Sequence, residues 1–335
     1  MKIIKQRGNC QPVVEEVPRP KPASGEVLVR TAASALCGSE MHSYRTGGNG
    51  EGNLGHEAAG TIEALGDGVT TLSPGKRVGV SAIAGCGSCE ECSRGRYTWC
   101  ANHKFICNMH AEYFVIPALA CHVLPDDVPW DVGVLITGDG LGVPVHTAHK
   151  ISGKEIETVA IFGLGPIGLG SALLQKSLGR KIIAVDRAPY RLELAAKLGA
   201  TIVAANDGVD LPGRIRELTG GKGADVCIEA AGSPITAKLC FSSVRTAGTV
   251  IFNGEQGAVE LSPSDDFIRR DITAIGSWYY HFNEFPEMLR VFHEGLPISS
   301  LITHHYSIQD ADKAFRTMAE GKSGKIFFEY QPVSP

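Results

Sequence analysis

Six residues constrain this chain more than any others: Gly163-Leu164-Gly165-Pro166-Ile167-Gly168, a G-x-G-x-x-G run. It directly follows an apolar stretch, Thr158 to Phe162 (TVAIF), and opens a run of helical period, Ile167 to Leu178. Strand, glycine turn and helix in that order are the context that gives the motif meaning. The first glycine permits the tight turn, the second lets backbone N–H groups approach a diphosphate, and the third allows close packing of helix on strand. Pro166 and Ile167 begin the helix, whose N-terminus would face the diphosphate with the positive end of its dipole. Asp186 closes the next strand, eighteen residues past Gly168. A carboxylate there accepts hydrogen bonds from the adenosine ribose and repels a 2′-phosphate, so the expected cofactor is NAD rather than NADP. Arg187 and Arg191 lie just beyond, would suit a phosphate, and soften that preference.

The alternation continues for a hundred residues. Strand Lys181 to Val185, helix Arg191 to Leu198, strand Thr201 to Ala204, helix Gly213 to Leu218, strand Ala224 to Glu229, helix Ile235 to Ser243 and strand Thr249 to Asn253 follow. Such a chain builds a doubly wound parallel sheet with helices on both faces, an α/β domain of Rossmann type. Before residue 140 the texture differs. Short β-like runs such as Glu26 to Thr31, Ala59 to Leu65 and Arg77 to Val80 are separated by Gly and Pro, which predicts a mostly β domain. Beyond residue 285 come helices Pro286 to Glu294 and Ala311 to Glu320 and a last strand, Lys325 to Glu329.

Cys86, Cys89, Cys92 and Cys100 stand within fifteen residues in the pattern C-x2-C-x2-C-x7-C. Two-residue gaps let a looping backbone deliver thiolates to one point, as a tetrahedral zinc ion requires. Disulfides would need an oxidising compartment, and MKIIKQRGNCQPVVEEVPRP has neither an apolar core nor a small-residue cleavage site of a secretory signal. The expected compartment is the cytoplasm. No stretch approaches the roughly 20 apolar residues that span a bilayer. With 32 Lys and Arg against 36 Asp and Glu, the formal net charge of -4 argues against a nucleic-acid partner.

Further along the same chain stand Cys37-Gly38-Ser39-Glu40-Met41-His42, Gly55-His56-Glu57 and Ala111-Glu112-Tyr113. Together with the cysteine quartet, the glycine motif and Asp186, these make the chain resemble the zinc-containing medium-chain alcohol and polyol dehydrogenases over essentially its whole length. The resemblance implies a GroES-like catalytic domain over residues 1–143, a nucleotide domain over 144–286, and a return to the catalytic domain over 287–335. It implies two zinc ions per chain: a structural one on the quartet and a catalytic one on Cys37 and His56. Glu57 would be a ligand or a close neighbour that exchanges with water. The remaining ligand would come from the loop Gly138 to Val143, where Asp139 matches the polyol and threonine dehydrogenases rather than the alcohol dehydrogenases proper, whose residue is Cys. An Asp-Gly turn is the plainer reading of Asp139.

The resemblance also implies a proton relay from the substrate hydroxyl through Ser39 and His42, with a surface histidine as the plainer reading of His42. Glu40 would orient His56 from behind. Zinc would act as a Lewis acid on the alcohol oxygen, and hydride would pass to the nicotinamide. The expected substrate is a secondary alcohol, first a polyol, sugar or cyclitol. An L-threonine-like amino alcohol or a simple secondary alcohol comes next, and a non-catalytic zinc- and nucleotide-binding protein is the rival from another class. Asn108-Met109-His110 stands where relatives have an Asp-Gly-Gly-like turn, which leaves His110 as a substrate contact or a turn residue. Relatives associate through the last strands of the nucleotide domain, and the apolar run Asp271 to Tyr280 suits a homodimer or homotetramer.

Overall fold

The computed structural model describes residues 1–50, 52–153, 155–206 and 208–330. The chain divides into two compact units, one of Met1–Gly142 with the segment from Tyr280 onward, the other of Val143–Tyr279. The sequence reading put the return later, at 287.

The second unit holds a six-stranded sheet, all parallel. In spatial order the strands are Thr201–Ala204, Lys181–Asp186, Thr158–Phe162, Ala224–Glu229, Val244–Phe252 and Thr273–Gly276. The strand first in the chain thus lies in the middle, and the order reverses beside it, where open α/β sheets bind ligands outside the strands' carboxyl ends. Val159, Ala160, Ile161 and Phe162 are all fully buried. A strand covered on both faces reads as a continuous apolar run, as TVAIF does. Helices Pro166–Ser177, Pro189–Lys197, Leu211–Leu218 and Pro234–Ser243 fill the connections, each with a proline in its first turn. Proline is pre-organised there and gives up no needed N–H.

The first unit is built on a seven-stranded sheet, in which Glu26–Leu36 is the longest strand. One edge of that strand pairs with Ala58–Leu65; along the other, Tyr113–Pro117 pairs with its first half and Lys325–Glu329 with its second. The sequence reading ended this strand at Thr31. The run Ala32 to Leu36 has little strand propensity of its own, but it pairs in register with Lys325–Glu329, Ser34 opposite Phe328 and Leu36 opposite Ile326. Val27, Val29, Ile62, Val78, Phe114 and Ile116 form one core on this sheet. A second gathers Ile4, Leu36, Tyr44, Phe315, Met318 and Phe328 around helix Ala311–Ala319.

Gly138 to Val143 is not a loop. Asp139 is the first residue of helix Asp139–Lys150. Glycine costs a helix about 1 kcal/mol and an interior proline about 3, so Gly140, Gly142 and Pro144 read as breakers. Packing overrides them. A Cβ on Gly140 would lie 2.4 Å from Leu135 and one on Gly142 2.4 Å from the Tyr280 ring, so both glycines are required by close neighbours.

Candidate metal and cofactor sites

Cys37 follows the end of strand Glu26–Leu36, and His56 and Glu57 precede Ala58–Leu65, its antiparallel neighbour. Lys325 opens the strand on the other side. These ends therefore meet at one rim of the sheet, where Asp139 also starts its helix. The ligand atoms of Cys37, His56, Glu57 and Asp139 lie within 4.8 Å of one another, and all four residues are buried. Asp139 Oδ2 is 3.5 Å from Cys37 Sγ and 3.2 Å from His56 Nε2. His56 Nδ1 pairs with the Leu54 carbonyl at 2.7 Å, which turns Nε2 toward the cluster.

The electrostatics suit a cation. Burial alone would lower the pKa of His56, but Cys37 and Asp139 outweigh it and hold the ring well above its usual range. Burial pushes the Glu57 carboxyl up, opposed by Lys325, whose ammonium forms a fully buried ion pair with Glu57 Oε1. Glu57 Oε2 and Asp139 Oδ1 are buried with no hydrogen-bond partner among the described residues. Unpaired buried carboxylate oxygens are costly unless a cation answers them. The sulfur, imidazole and carboxylate donors are those zinc takes. Gly138 belongs to this fit, because a Cβ there would lie 3.0 Å from Glu57 Oε2.

Ser39 is exposed at the N-terminus of helix Glu40–Arg45 and makes no capping bond with its side chain. His42 is exposed one turn on. Glu40 does not bond to His56, whose Nδ1 is already taken. Its carboxylate accepts from the Cys37 amide at 2.9 Å, from Gln6 Nε2 at 2.7 Å and from His110 Nε2 at 3.1 Å. Burial would raise the Glu40 carboxyl, but the charge and hydrogen bond of His110 hold it below the ordinary value. His110 lies in a bend, as the turn reading has it, but it is fully buried and so not open to a substrate. Two neighbours escaped the sequence reading. Lys325 opens the apolar run KIFFE, where a lysine reads as an exposed strand start. Phe105, half exposed, stands with its ring centre 5.2 Å from that of His56 and offers an apolar wall.

The sulfurs of Cys86, Cys89, Cys92 and Cys100 also lie within 4.8 Å of one another. Gly87 takes the left-handed φ of 79° that turns the backbone between the first two. Cys89 caps helix Glu90–Ser93, which carries Cys92. Hydrogen bonds from the Ser88 amide and hydroxyl and the Cys89 amide hold the Cys86 thiol down at about 6, toward the thiolate a metal needs.

In the second unit the three glycines show three separate constraints. Gly163 has φ 92°, and a Cβ there would lie 2.6 Å from the Ala231 amide. A Cβ on Gly168 would lie 1.9 Å from the Gly163 carbonyl. Gly165 has nothing within 4 Å of that position, which leaves open the face a diphosphate would approach. Asp186 accepts from the Leu164 amide at 2.6 Å and the Ala188 amide at 2.8 Å. Two backbone donors fix the carboxylate and leave lone pairs for further donors. Arg187 is exposed, while Arg191 is partly buried in the field of Asp186.

Residues 23–126 match the family description of an alcohol dehydrogenase GroES-like domain, and residues 166–294 that of a zinc-binding dehydrogenase. The chain is 30% identical to an L-threonine 3-dehydrogenase of Alteromonas mediterranea, over 98% of this chain and 99% of that protein. It is 30% identical to a sorbitol dehydrogenase of Bacillus subtilis, over 92% of this chain and 91% of that one. A structure described as a short chain alcohol dehydrogenase of Escherichia coli CFT073, complexed with the cofactor NADH, superimposes with a TM-score of 0.85 at 26% identity, over 98% and 99% of the two chains.

Proposed function

We propose that this chain, which belongs to the zinc-binding alcohol dehydrogenase family and transfers hydride between NAD and secondary alcohols, takes a polyol, sugar or cyclitol as its own substrate, handled at Cys37, His56, Glu57 and Asp139. Asp139 carries this reading. With Cys37 and His56 it makes a donor set of the polyol and threonine dehydrogenase type, unlike the two-cysteine set of the alcohol dehydrogenases proper. The likeness to a sorbitol dehydrogenase supports it. The likeness to an L-threonine 3-dehydrogenase supports an amino alcohol as the second reading.

The residues then have distinct duties. Cys37, His56 and Asp139, with Glu57 as ligand or neighbour, would hold a zinc ion that supplies Lewis acidity toward the substrate oxygen. Ser39 takes the hydroxyl proton and His42 releases it to solvent, to which its ring is exposed. Lys325 favours the charged form of the buried Glu57 and holds it in place. The amides after Gly163 and the start of helix Pro166–Ser177 receive the diphosphate of NAD, and Asp186 receives the ribose hydroxyls. Bound NAD would supply the hydride acceptor, and the protein's own part is to take the proton of the alcohol. The quartet of Cys86, Cys89, Cys92 and Cys100 would hold a second zinc with no open position, and so a structural one.

The same family reading supports a cytoplasmic homodimer or homotetramer. No helix among the described residues is long and apolar enough to cross a membrane. The outer strand Thr273–Gly276 leaves most of its residues exposed for a partner chain; a single sedimenting monomer would contradict this. For the relay, His42→Ala is expected to slow alcohol oxidation by about 10²-fold, most at low pH, with partial rescue by imidazole. Wild-type rates across the pH range would return His42 to an ordinary surface residue. The substrate reading is tested by following NADH formation with polyols, sugars, cyclitols and amino alcohols. The highest kcat/KM on a polyol, sugar or cyclitol supports it, one on L-threonine favours the second reading, and no turnover with any secondary alcohol contradicts both.

A further inference from the structure

Asn108-Met109-His110 has no part in the proposed reaction, yet His110 lies among the buried polar side chains beside the site. It is fully buried, as are Glu40 and Ser34, with Gln6 and Asn53 at 1% exposure. We propose that His110 is the positioning residue of the buried metal centre, holding Cys37 through Glu40 and His56 through Gly55. The inference rests on the reading of Cys37, His56, Glu57 and Asp139 as that centre.

Two lines of contact lead from the one ring. His110 Nε2 donates to Glu40, 3.2 Å from Oε1 and 3.1 Å from Oε2. Oε1 in turn accepts from the Cys37 amide, so the imidazole and the peptide that carries the reactive sulfur share one carboxylate oxygen. Gln6 anchors the other oxygen. The second line runs through bare backbone. A Cβ on Gly55 would lie 2.5 Å from the His110 ring, so glycine alone lets the loop lie against it, one residue before His56. Asn53 laces the same loop to this segment, its Oδ1 accepting from the amides of Gly55 at 3.1 Å and His110 at 3.2 Å. The Met109 amide donates to the Gly55 carbonyl at 2.9 Å. Asn108 makes the turn possible with a left-handed φ of 74°, which asparagine tolerates, and its side chain accepts from the Asn53 amide.

The ring is also braced from behind. Ser34 Oγ lies 2.8 Å from Nδ1 and 2.8 Å from the Tyr330 hydroxyl, and Phe328 stands edge-on at 5.0 Å. Both ring nitrogens of His110 are thus paired, and paired polar groups in a low-dielectric interior hold their orientation strongly. Partners behind metal ligands are worth about 10–100-fold in metal affinity or activity.

Phe in place of His110 keeps the ring and its packing but removes the donors; Gln restores an amide donor of similar reach. The test loads cobalt into the buried site, with zinc left in the cysteine lobe, and compares wild type, His110→Phe and His110→Gln. The readouts are the cobalt absorption spectrum, the rate of metal release to a chelator, and kcat and KM separately. The expected result for His110→Phe is an altered spectrum, release about 10-fold faster or more, and a fall in kcat larger than the change in KM, with His110→Gln closer to wild type in all three. Should His110→Phe not fold, Ser34→Ala, which loosens the brace on Nδ1, is expected to move spectrum and release in the same direction by less. A folded His110→Phe, or failing that Ser34→Ala, with the wild-type spectrum and release rate overturns the proposal, as does a His110→Gln no better than Phe. A wild type that takes up metal only in the cysteine lobe overturns the metal-centre reading beneath it, and the metal count shows this before any variant is compared.

Discussion

Lys325 and His122 are two buried titratable groups accommodated in opposite ways. Lys325 is kept charged: burial works against its ammonium, but Glu57, Cys37 and Asp139 answer it and raise its pKa. His122 is kept neutral. It lies stacked against Phe282 at 3.8 Å and Phe285 at 4.4 Å between ring centres, with the Tyr280 hydroxyl 3.3 Å from Nε2, and burial drives its pKa down to about 3. An unfolded histidine titrates near 6.5. As pH falls from about 6.5 toward about 3, the unfolded chain binds a proton that the folded chain refuses. Stability from this residue is therefore complete above pH ~6.5 and is lost progressively below it, by at most about 1.4 kcal/mol per pH unit. His122→Phe is expected to flatten the acid limb of urea midpoint against pH; an unchanged limb would show that other groups set it. The four residues of the buried cluster came from the family resemblance, because Cys37, His56 and Asp139 taken singly read as ordinary core, polar or turn residues. Glu40 was misassigned because nothing in the sequence shows that Leu54 already satisfies the far nitrogen of His56. His110 was underrated for a similar reason: its partners Glu40 and Ser34 lie 70 and 76 positions away along the chain.

Two short elements carry one commitment each. The four sulfurs of the cysteine lobe converge because the local backbone loops round a common point. Metal binding to such a lobe is part of folding free energy. Cys86→Ser is expected to release one zinc per chain and lower the melting temperature, while the catalytic rate per folded molecule stays near wild type. Two zinc ions still bound, with unchanged melting, would remove the lobe from the metal account. The glycine turn and the strand ending in Asp186 carry cofactor choice. Asp186→Ser is expected to narrow the preference for NAD over NADP in kcat/KM, because a 2′-phosphate no longer meets a carboxylate and Arg187 stands beside it. Equal use of both cofactors by the wild type would contradict the role given to Asp186. These elements were legible because local spacing determines them. Helix Asp139–Lys150 was not, since its glycines Gly140 and Gly142 serve contacts with Leu135 and Tyr280 rather than flexibility, and only packing reveals that.

Across the whole molecule, the alternation of strands and helices from residue 158 onward sufficed to predict the parallel sheet, whose observed order places the glycine turn beside the reversal. The other unit was harder to read. Its central strand pairs with segments from both ends of the chain, and the strands Ile302–Ser307 and Lys325–Glu329 join a sheet begun nearly three hundred residues earlier. Long-range pairing of that kind leaves almost no local signal. The consequence for function is that the buried cluster depends on both ends of the chain, with Cys37, His56, Glu57 and Asp139 from one side and Lys325 from the other. The central claim is that this cluster carries out NAD-linked alcohol oxidation. It is tested most directly by NADH formation in Cys37→Ser against wild type, on the best secondary alcohol, with zinc per chain and melting temperature measured on the same samples. The account predicts that Cys37→Ser loses one zinc and essentially all turnover while melting close to wild type. A folded Cys37→Ser that still reduces NAD at the wild-type rate would contradict it.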